Sequence, residues 1–425
     1  MNRLPSKDVT TLRDLAQRVA ELAATDSNAA KIETWTQLNG LRSSTPPQIL
    51  VHLWAQAWTE ILPDVHLLCE SEAGRTYERD LRRRIWMAEN VDDDGVIEPI
   101  AHYRQTAWLD PYRGLQVRKR WAGEPEDGAA AFIPVIVEKR DIEKLGDPVL
   151  HHDPEQASVA RLEAKEIFEP TLTVIKPKQY FAAKVVDEFS WLRGLSNTYL
   201  DLIDDPAWVH ETLQRITDNF RKRFTVLESA ELWGVADKAD PLGSAGLRFV
   251  PDMPDWRTAA DPATFAPTLA DSWGFTCAEV LNCVSPLMHD AFAFDYDRQL
   301  MGLFRFCNVG CCERLDAKAS LLHSVPNARK IAVSECCDVA QAAENIGPGY
   351  VYSYRAAGVH FIQEPWNRDA ARKEMTAVLD AVQGCPLEIV LNIGGTLGKG
   401  DRRGKLAEWC QMVRDLLRRR GMARA

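Results

Sequence analysis

The sequence holds no stretch approaching the roughly 18 consecutive apolar residues that a membrane span requires. Its start, Met1-Asn-Arg-Leu-Pro-Ser, lacks the apolar core of a signal peptide, so a cytoplasmic location is expected. An excess of basic residues is also missing. With 61 acidic against 51 basic side chains and a formal net charge of −10, the chain has no general charge attraction for nucleic acid phosphates. No repeat of constant period and no low-complexity tract occurs, which excludes a solenoid and an extended disordered chain. Ten cysteines in 425 residues are too few for a disulfide scaffold.

What is present describes a soluble folded enzyme-sized chain. Apolar residues make up 46% and charged residues 26%, close to the globular average. The length suits either two or three domains or one α/β barrel with insertions. The cysteines are unevenly placed: Cys307, Cys311, Cys312, Cys336 and Cys337 fall together, and in a reducing compartment such grouping points to metal binding or thiol chemistry.

Apolar residues at Leu12, Leu15, Val19 and Leu22 form the stripe of a surface helix, and a second helical stretch ends near Gly40. Residues 1–45 are therefore expected to be an N-terminal helical cap, divided from residues 46–425 at Thr45-Pro46-Pro47. Two strand-like runs, Leu115–Trp121 and Ala131–Val137, flank the turn-forming Glu124-Pro-Glu-Asp-Gly128 and read as a hairpin insertion over about residues 112–140. Pro134 confines the second run to an edge or a bulge.

Asp205-Pro206 opens a long helix, with Asp as N-cap and Pro at the first helical position, and Ser285-Pro286 repeats the device. Beyond it strands and helices alternate: strands at 303–309, 329–334, 350–354 and 387–393, each followed by a helix. Further strand candidates lie at 48–53, 95–101, 180–186 and 246–250. Strands joined by helical crossovers give right-handed βα units and a parallel sheet. The expectation is an α/β fold, a closed (β/α)8 TIM-type barrel with an N-terminal helical extension and a hairpin insertion.

In such a barrel the active site lies at the carboxyl ends of the strands. Cys311-Cys312 and Cys336-Cys337 each follow a strand, which places both pairs at one rim and within reach of one metal. Zinc suits thiolate and imidazole ligands, and three protein ligands leave a fourth position for substrate. His289, His360 and Glu313 are alternatives for the remaining ligand, and Glu313 is placed at a helix start, where its charge suits the dipole. Asp187-Glu188, after the strand at 180–186, form an acid pair at the same rim. Ser244 and Gly246 offer backbone amides as an anion cradle, and Trp273 is a candidate pocket wall. Asn392–Asp401 is glycine-rich but fails the phosphate-loop pattern. Asp92-Asp93-Asp94-Gly95 and His151-His152-Asp153 lack metal-ligand spacing and read as surface turns.

From about Leu4 to Leu417 the sequence resembles the uroporphyrinogen decarboxylase superfamily, in a long branch with an extra helical N-terminus. The carriers are Trp191-Leu-Arg-Gly194, Asp204-Asp-Pro-Ala-Trp-Val-His210, Trp273-Gly274, Ser285-Pro-Leu-Met-His289, Gly310-Cys-Cys-Glu313 and Asn327-Ala-Arg-Lys-Ile-Ala-Val-Ser334. That superfamily includes true decarboxylases and zinc methyltransferases that move a methyl group between a corrinoid protein and a thiol, all on an α/β barrel. The decarboxylases hold their acidic tetrapyrrole with an arginine-rich motif after the first strand. The matching stretch here, His52-Leu-Trp-Ala-Gln-Ala-Trp-Thr-Glu60, has no arginine. The methyltransferases carry His-x-Cys after a middle strand and a further Cys near the last. Here the first position matches Asn308-Val-Gly-Cys311-Cys312, no Cys follows Leu387–Ile393, and a second sulfur falls to Cys336 or Cys337.

The resemblance and the rim cysteines together imply a zinc-dependent methyltransferase or demethylase, with a corrinoid on a partner protein. Cys311, Cys312, Cys336 and Cys337 are the metal candidates, and Glu313 or His289 handles protons or completes the ligand set. A second reading is a metal-independent decarboxylase or lyase for a smaller acid, with Asp187 or Glu188 as acid/base and Arg193 as carboxylate anchor. A third is a non-catalytic barrel that binds a corrinoid or tetrapyrrole. Across these readings the substrate contacts are Arg193, Ser244, Gly246, Trp273 and His360. The partners allowed are a small-molecule substrate, a corrinoid protein and a second copy of the chain, with no nucleic acid and no membrane.

Overall fold

The computed structural model describes residues 4–42, 44–121, 130–177, 182–234, 238–251 and 253–422. Two helices open the chain, the amphipathic α1 (Ser6–Ala23) and α2 (Asp26–Asn39). The turn between them is fixed by Thr25, whose side chain accepts the Asn28 amide as N-cap. Strand β1 (Gln48–Leu53) follows, then α3 (Ala55–Ile61) and α4 (Glu72–Asn90).

Six strands form the central sheet: β1, then β8 (Trp273–Thr276), β9 (Phe306–Val309), β10 (Ala328–Val333), β11 (Val351–Ala356) and β12 (Leu387–Ile393). Their order is β1-β12-β11-β10-β9-β8, all pairs parallel, and the sheet curls into part of a barrel wall. Sequence and spatial order agree from β8 to β12 because each strand returns through a helix or a helical turn, the short route for a parallel connection. These strands are buried on both sides and so read as near-continuous apolar runs. One face, including Val51, Ile331, Tyr354, Ile389 and Leu391, packs on the helices at 368–381, 402–419 and α8 (Pro206–Ser229) in a single large core.

Six smaller strands complete the described pairings. β2 (Ile100–His102) runs parallel to β7 (Thr173–Ile175), β3 (Trp108–Asp110) antiparallel to β6 (Val149–His151), and β4 (Arg118–Trp121) antiparallel to β5 (Ala130–Ile133). The expected turn at Glu124–Gly128 lies outside the described residues. Between β6 and α8 stand helices α5 (Pro154–Phe168), α6 (Val185–Arg193) and α7 (Leu195–Asp204). Among the described residues no helix is long and apolar enough to cross a membrane.

The ladder does not close into the expected eight-stranded ring among the described residues, and its two edges show why. At the β1 edge carboxylates stand in for a neighbouring strand. Asp94 accepts the Ile49 amide and Asp93 the Val51 amide, each at 2.8 Å, while the Asp94 amide donates to the Ile49 carbonyl at 2.7 Å. Within the Asp92–Gly95 stretch, Asp93 and Asp94 are therefore a buried edge cap and not part of a surface turn, while Asp92 is exposed. At the β8 edge one residue, Ala183, makes an isolated bridge to Thr276. Residues 180 and 181 of the expected strand at 180–186 lie outside the described residues, and its described part holds that bridge and then the start of helix α6 at Val185.

The expected strand at 246–250 is an extended segment that crosses the inner face of the sheet. Its polar groups go to the sheet's inward side chains: the Gly246 amide donates to Glu388 at 2.8 Å, and the Leu247 carbonyl accepts Lys330 Nζ at 2.8 Å. Helix α2 holds it from the other side, Asn39 Nδ2 donating to the carbonyls of Leu247 and Phe249.

Candidate active site

Two loops and the end of a strand at the carboxyl edge of the sheet bring the reactive side chains together. After β8 the chain continues as Cys277-Ala278 and turns at Glu279. After β9 it turns at Gly310, with φ +89°, and presents Cys311 and Cys312. Only glycine suits this turn, since a Cβ there would lie 2.4 Å from Leu315 Cδ1 as well as straining the backbone. From β11, Arg355 points to the same place.

Cys311 and Cys312 Sγ atoms are 3.8 Å apart, and the donor atoms of Glu279, Cys311 and Cys312 all lie within 4.8 Å of one another. Arg355 Nη1 lies 2.9 Å from Cys311 Sγ and 3.1 Å from Cys312 Sγ. Glu313, 2% exposed, staples the two loops, one carboxylate oxygen accepting the Ala278 amide at 2.9 Å and the other the Cys311 amide at 2.8 Å. Asp187, in the first turn of α6, accepts the Val280 amide at 2.8 Å and has Cys277 Sγ 3.8 Å away. Lys184 Nζ stands 4.0 Å from Glu279.

These contacts set the protonation pattern. Hydrogen bonds from Cys277 and Cys312, with the charge of Arg355, hold the Cys311 thiol well below its ordinary pKa in spite of burial. Cys312 is pushed up by donating to Cys311 and by burial, and Cys277 by burial. The cluster therefore carries one thiolate, on Cys311. Burial raises Glu279 to about 7, with the Cys311 charge adding to it, and raises Asp187 to about 6. Glu313 is likewise raised by burial. Carboxyls near neutrality can both take and give protons.

A cavity of about 510 Å³ opens beside this cluster, lined by Asp187 and Glu279 on one side and by Phe132, Pro134, Trp191 and Leu195 on the other. Two sulfurs and a carboxylate match the donor preferences of zinc, and three protein ligands leave a position for substrate. The donor set fits that metal, with Arg355 as a hydrogen-bond donor to the ligating sulfurs.

Several residues expected at the site are elsewhere. Cys336 is exposed, and Cys337 Sγ lies 3.5 Å from Ser334 Oγ. Among the described residues neither joins a group of three donors within 4.8 Å. Glu313 begins no helix; its carboxylate is occupied by the two loop amides. His289 is fully buried with Nδ1 3.1 Å from Lys318 Nζ, and burial together with that cation lowers it to about 3, so it stays neutral.

Glu188 is committed to Arg223, at 2.5 and 3.0 Å, and to Tyr112, which makes it a structural anchor of α8. Arg193 is spent on Asp201 at 2.7 Å and on the carbonyls of Ile136 and Val137, so no free guanidinium remains for a substrate carboxylate. His360 Nε2 pairs with Glu374 at 2.8 Å. Ser244 and Gly246 belong to the segment crossing the inner face: the Ser244 carbonyl accepts Asn392, and a Cβ on Gly246 would meet the Trp35 ring at 2.5 Å. They form packing and not an anion cradle. Trp273 starts β8, at the amino end away from the cysteines, and packs on Phe306 at 5.3 Å between ring centres.

No protein-family profile matches the chain, and no curated protein matches it. Among solved structures, a methyltransferase from Methanosarcina mazei is similar over 92% of this chain and 99% of that one, with 10% sequence identity and a TM-score of 0.49.

Proposed function

We propose that this chain is a zinc-dependent methyltransferase or demethylase of the uroporphyrinogen decarboxylase superfamily. It moves a methyl group between a small substrate or thiol and a corrinoid carried on a partner protein, in the cytoplasm. The six-stranded sheet and the β2–β7 pair would then be parts of one eight-stranded barrel. The observation that carries the reading is the Glu279–Cys311–Cys312 group at the carboxyl edge of the sheet, where barrel enzymes do their chemistry.

Cys311, Cys312 and Glu279 would hold the zinc, which as a Lewis acid lowers the pKa of a bound thiol and polarises a leaving group. The chain's own groups do the rest. Arg355 orients both sulfurs and favours their ionised form. Glu313 fixes the distance between the two ligand loops, and Asp187, with its carboxyl near 6, receives the proton of an incoming thiol at the cavity wall. Elemental analysis of protein purified under reducing conditions tests this: about one zinc per chain is expected, lost on joint Cys311→Ser and Cys312→Ser substitution. Metal-free protein with full turnover would overturn it.

One observation favours a second reading, metal-independent decarboxylation or elimination on a smaller acid. Asp187 and Glu279 line the same cavity with carboxyls raised into the acid/base range. Turnover that survives exhaustive chelation and is lost in Asp187→Asn would select it.

A further inference from the structure

The cavity beside Glu279 has an unusual wall. Phe132 and Trp191 stack on one another along it with ring centres 5.4 Å apart and planes inclined by 23°. Pro134, Leu195 and Val280 extend the apolar surface, and the two ionisable groups of the lining are both acids, Asp187 and Glu279. Among the described residues no lysine or arginine lines it. Of the nearby cations, Arg355 faces the two sulfurs, Lys184 stands 4.0 Å from Glu279 and 6.0 Å from the Phe275 ring centre, and Lys119 lies over Phe132.

Such a lining offers nothing to a carboxylate, sulfonate or phosphate, whose charge needs donors or cations to replace water. It is matched to a positive charge spread over methyl groups. An aromatic face attracts a cation through its quadrupole, most strongly when the cation is poorly hydrated, and a carboxylate opposite adds the Coulomb term. Phe132 already takes a cation in this way, Lys119 Nζ standing 5.2 Å from its ring centre.

We propose that the cavity binds a quaternary methylammonium group, with Trp191 and Phe132 as its aromatic wall and Asp187 and Glu279 as its anionic one. The proposal rests on the methyl-transfer reading for its chemistry, where this ligand is the methyl donor. Transfer breaks one C–N bond, leaves its electron pair on nitrogen as a neutral tertiary amine, and forms one bond from carbon to the nucleophilic acceptor. No oxidant or reductant is needed, and loss of the positive charge lowers the amine's affinity for this wall, which favours its release.

Titration calorimetry of the full chain with choline and with its uncharged isostere 3,3-dimethylbutan-1-ol tests the site. Choline is expected to bind at least about fivefold more tightly, and Trp191→Leu or Phe132→Leu to abolish that preference while leaving the circular dichroism spectrum unchanged. Equal binding of the two ligands overturns the proposal, as does tighter binding of acetate than of choline, or a preference that persists in both variants. Zinc content on the same samples separates the readings. A choline preference without zinc keeps the cavity assignment and removes the metal, whereas full zinc without a preference removes the ligand class alone.

Discussion

Arg355 Nη1 stands 2.9 Å from Cys311 Sγ and 3.1 Å from Cys312 Sγ, and its described hydrogen-bond partners are these two sulfurs and no carboxylate. A guanidinium is always charged, so this contact makes the sulfur its counter-ion. The same pairing explains why a strand residue in a buried sheet carries a cation.

The first prediction concerns that thiolate. Because Cys311 is held below its ordinary pKa, its alkylation by iodoacetamide should persist at pH values where an ordinary thiol is protonated. Arg355→Met should move the pH profile of that one modification upward by a unit or more, roughly the effect of removing one close charge. Peptide mass spectrometry across pH 4–9 reads it out; a profile unchanged by the substitution would show that the arginine does not ionise the sulfur.

Asp187 should leave a mark on stability. Its folded pKa is about 6 against an ordinary 3.8, so the folded state holds a proton that the unfolded chain has released. Its contribution is most favourable below about pH 4 and declines as pH rises toward 6, on the order of 3 kcal/mol if fully expressed. Urea melts of chelator-treated protein at pH 4.5 and 7 should therefore converge in Asp187→Asn relative to the unsubstituted chain.

Inside the sheet, Lys330 and Glu388 pair at 2.6 Å with both side chains essentially inaccessible. Glu388 also accepts from Ser353 at 2.6 Å and from the Gly246 amide. Lys330→Met leaves that carboxylate without its cation and should destabilise the fold by about 3–5 kcal/mol. Adding Glu388→Gln should recover part of the loss, a non-additivity visible in a double-mutant cycle.

Gly310→Ala tests the turn that presents the cysteines. A methyl group there meets Leu315 and sits at a φ that L-residues rarely adopt, so a stability loss of about 1–3 kcal/mol is expected. Metal content should fall with it even though no ligand has changed.

Much of the alternation was readable from sequence. Strand β12 falls where its apolar run places it, at Leu387–Ile393, and the Asp205-Pro206 cap opens α8 as its chemistry requires. The edges were not readable, since nothing local distinguishes a triple aspartate that caps a strand from one that lies in water.

At the site, Cys311 and Cys312 follow from the rule that residues after strands carry chemistry. Glu279 obeys the same rule but follows β8, a four-residue strand, Trp-Gly-Phe-Thr, too short to stand out by pattern. Arg355 carried a usable signal: in β11, Ser353 and Arg355 are two apart among buried apolar neighbours, which puts both on the inner face. Cys336 and Cys337 obey the same rule, yet among the described residues they join no group of three donors within 4.8 Å, a distinction that spacing along the chain does not carry.

The segment crossing the inner face gives the chain an order of assembly. Its Gly246 amide waits for Glu388, its Leu247 carbonyl for Lys330, and Asn39 has been waiting for Leu247 and Phe249 since the beginning of synthesis. A ribosome emitting this polypeptide must deliver it as far as Glu388 before that interior can be sealed, so closure of the inner face depends on contacts far apart in the chain.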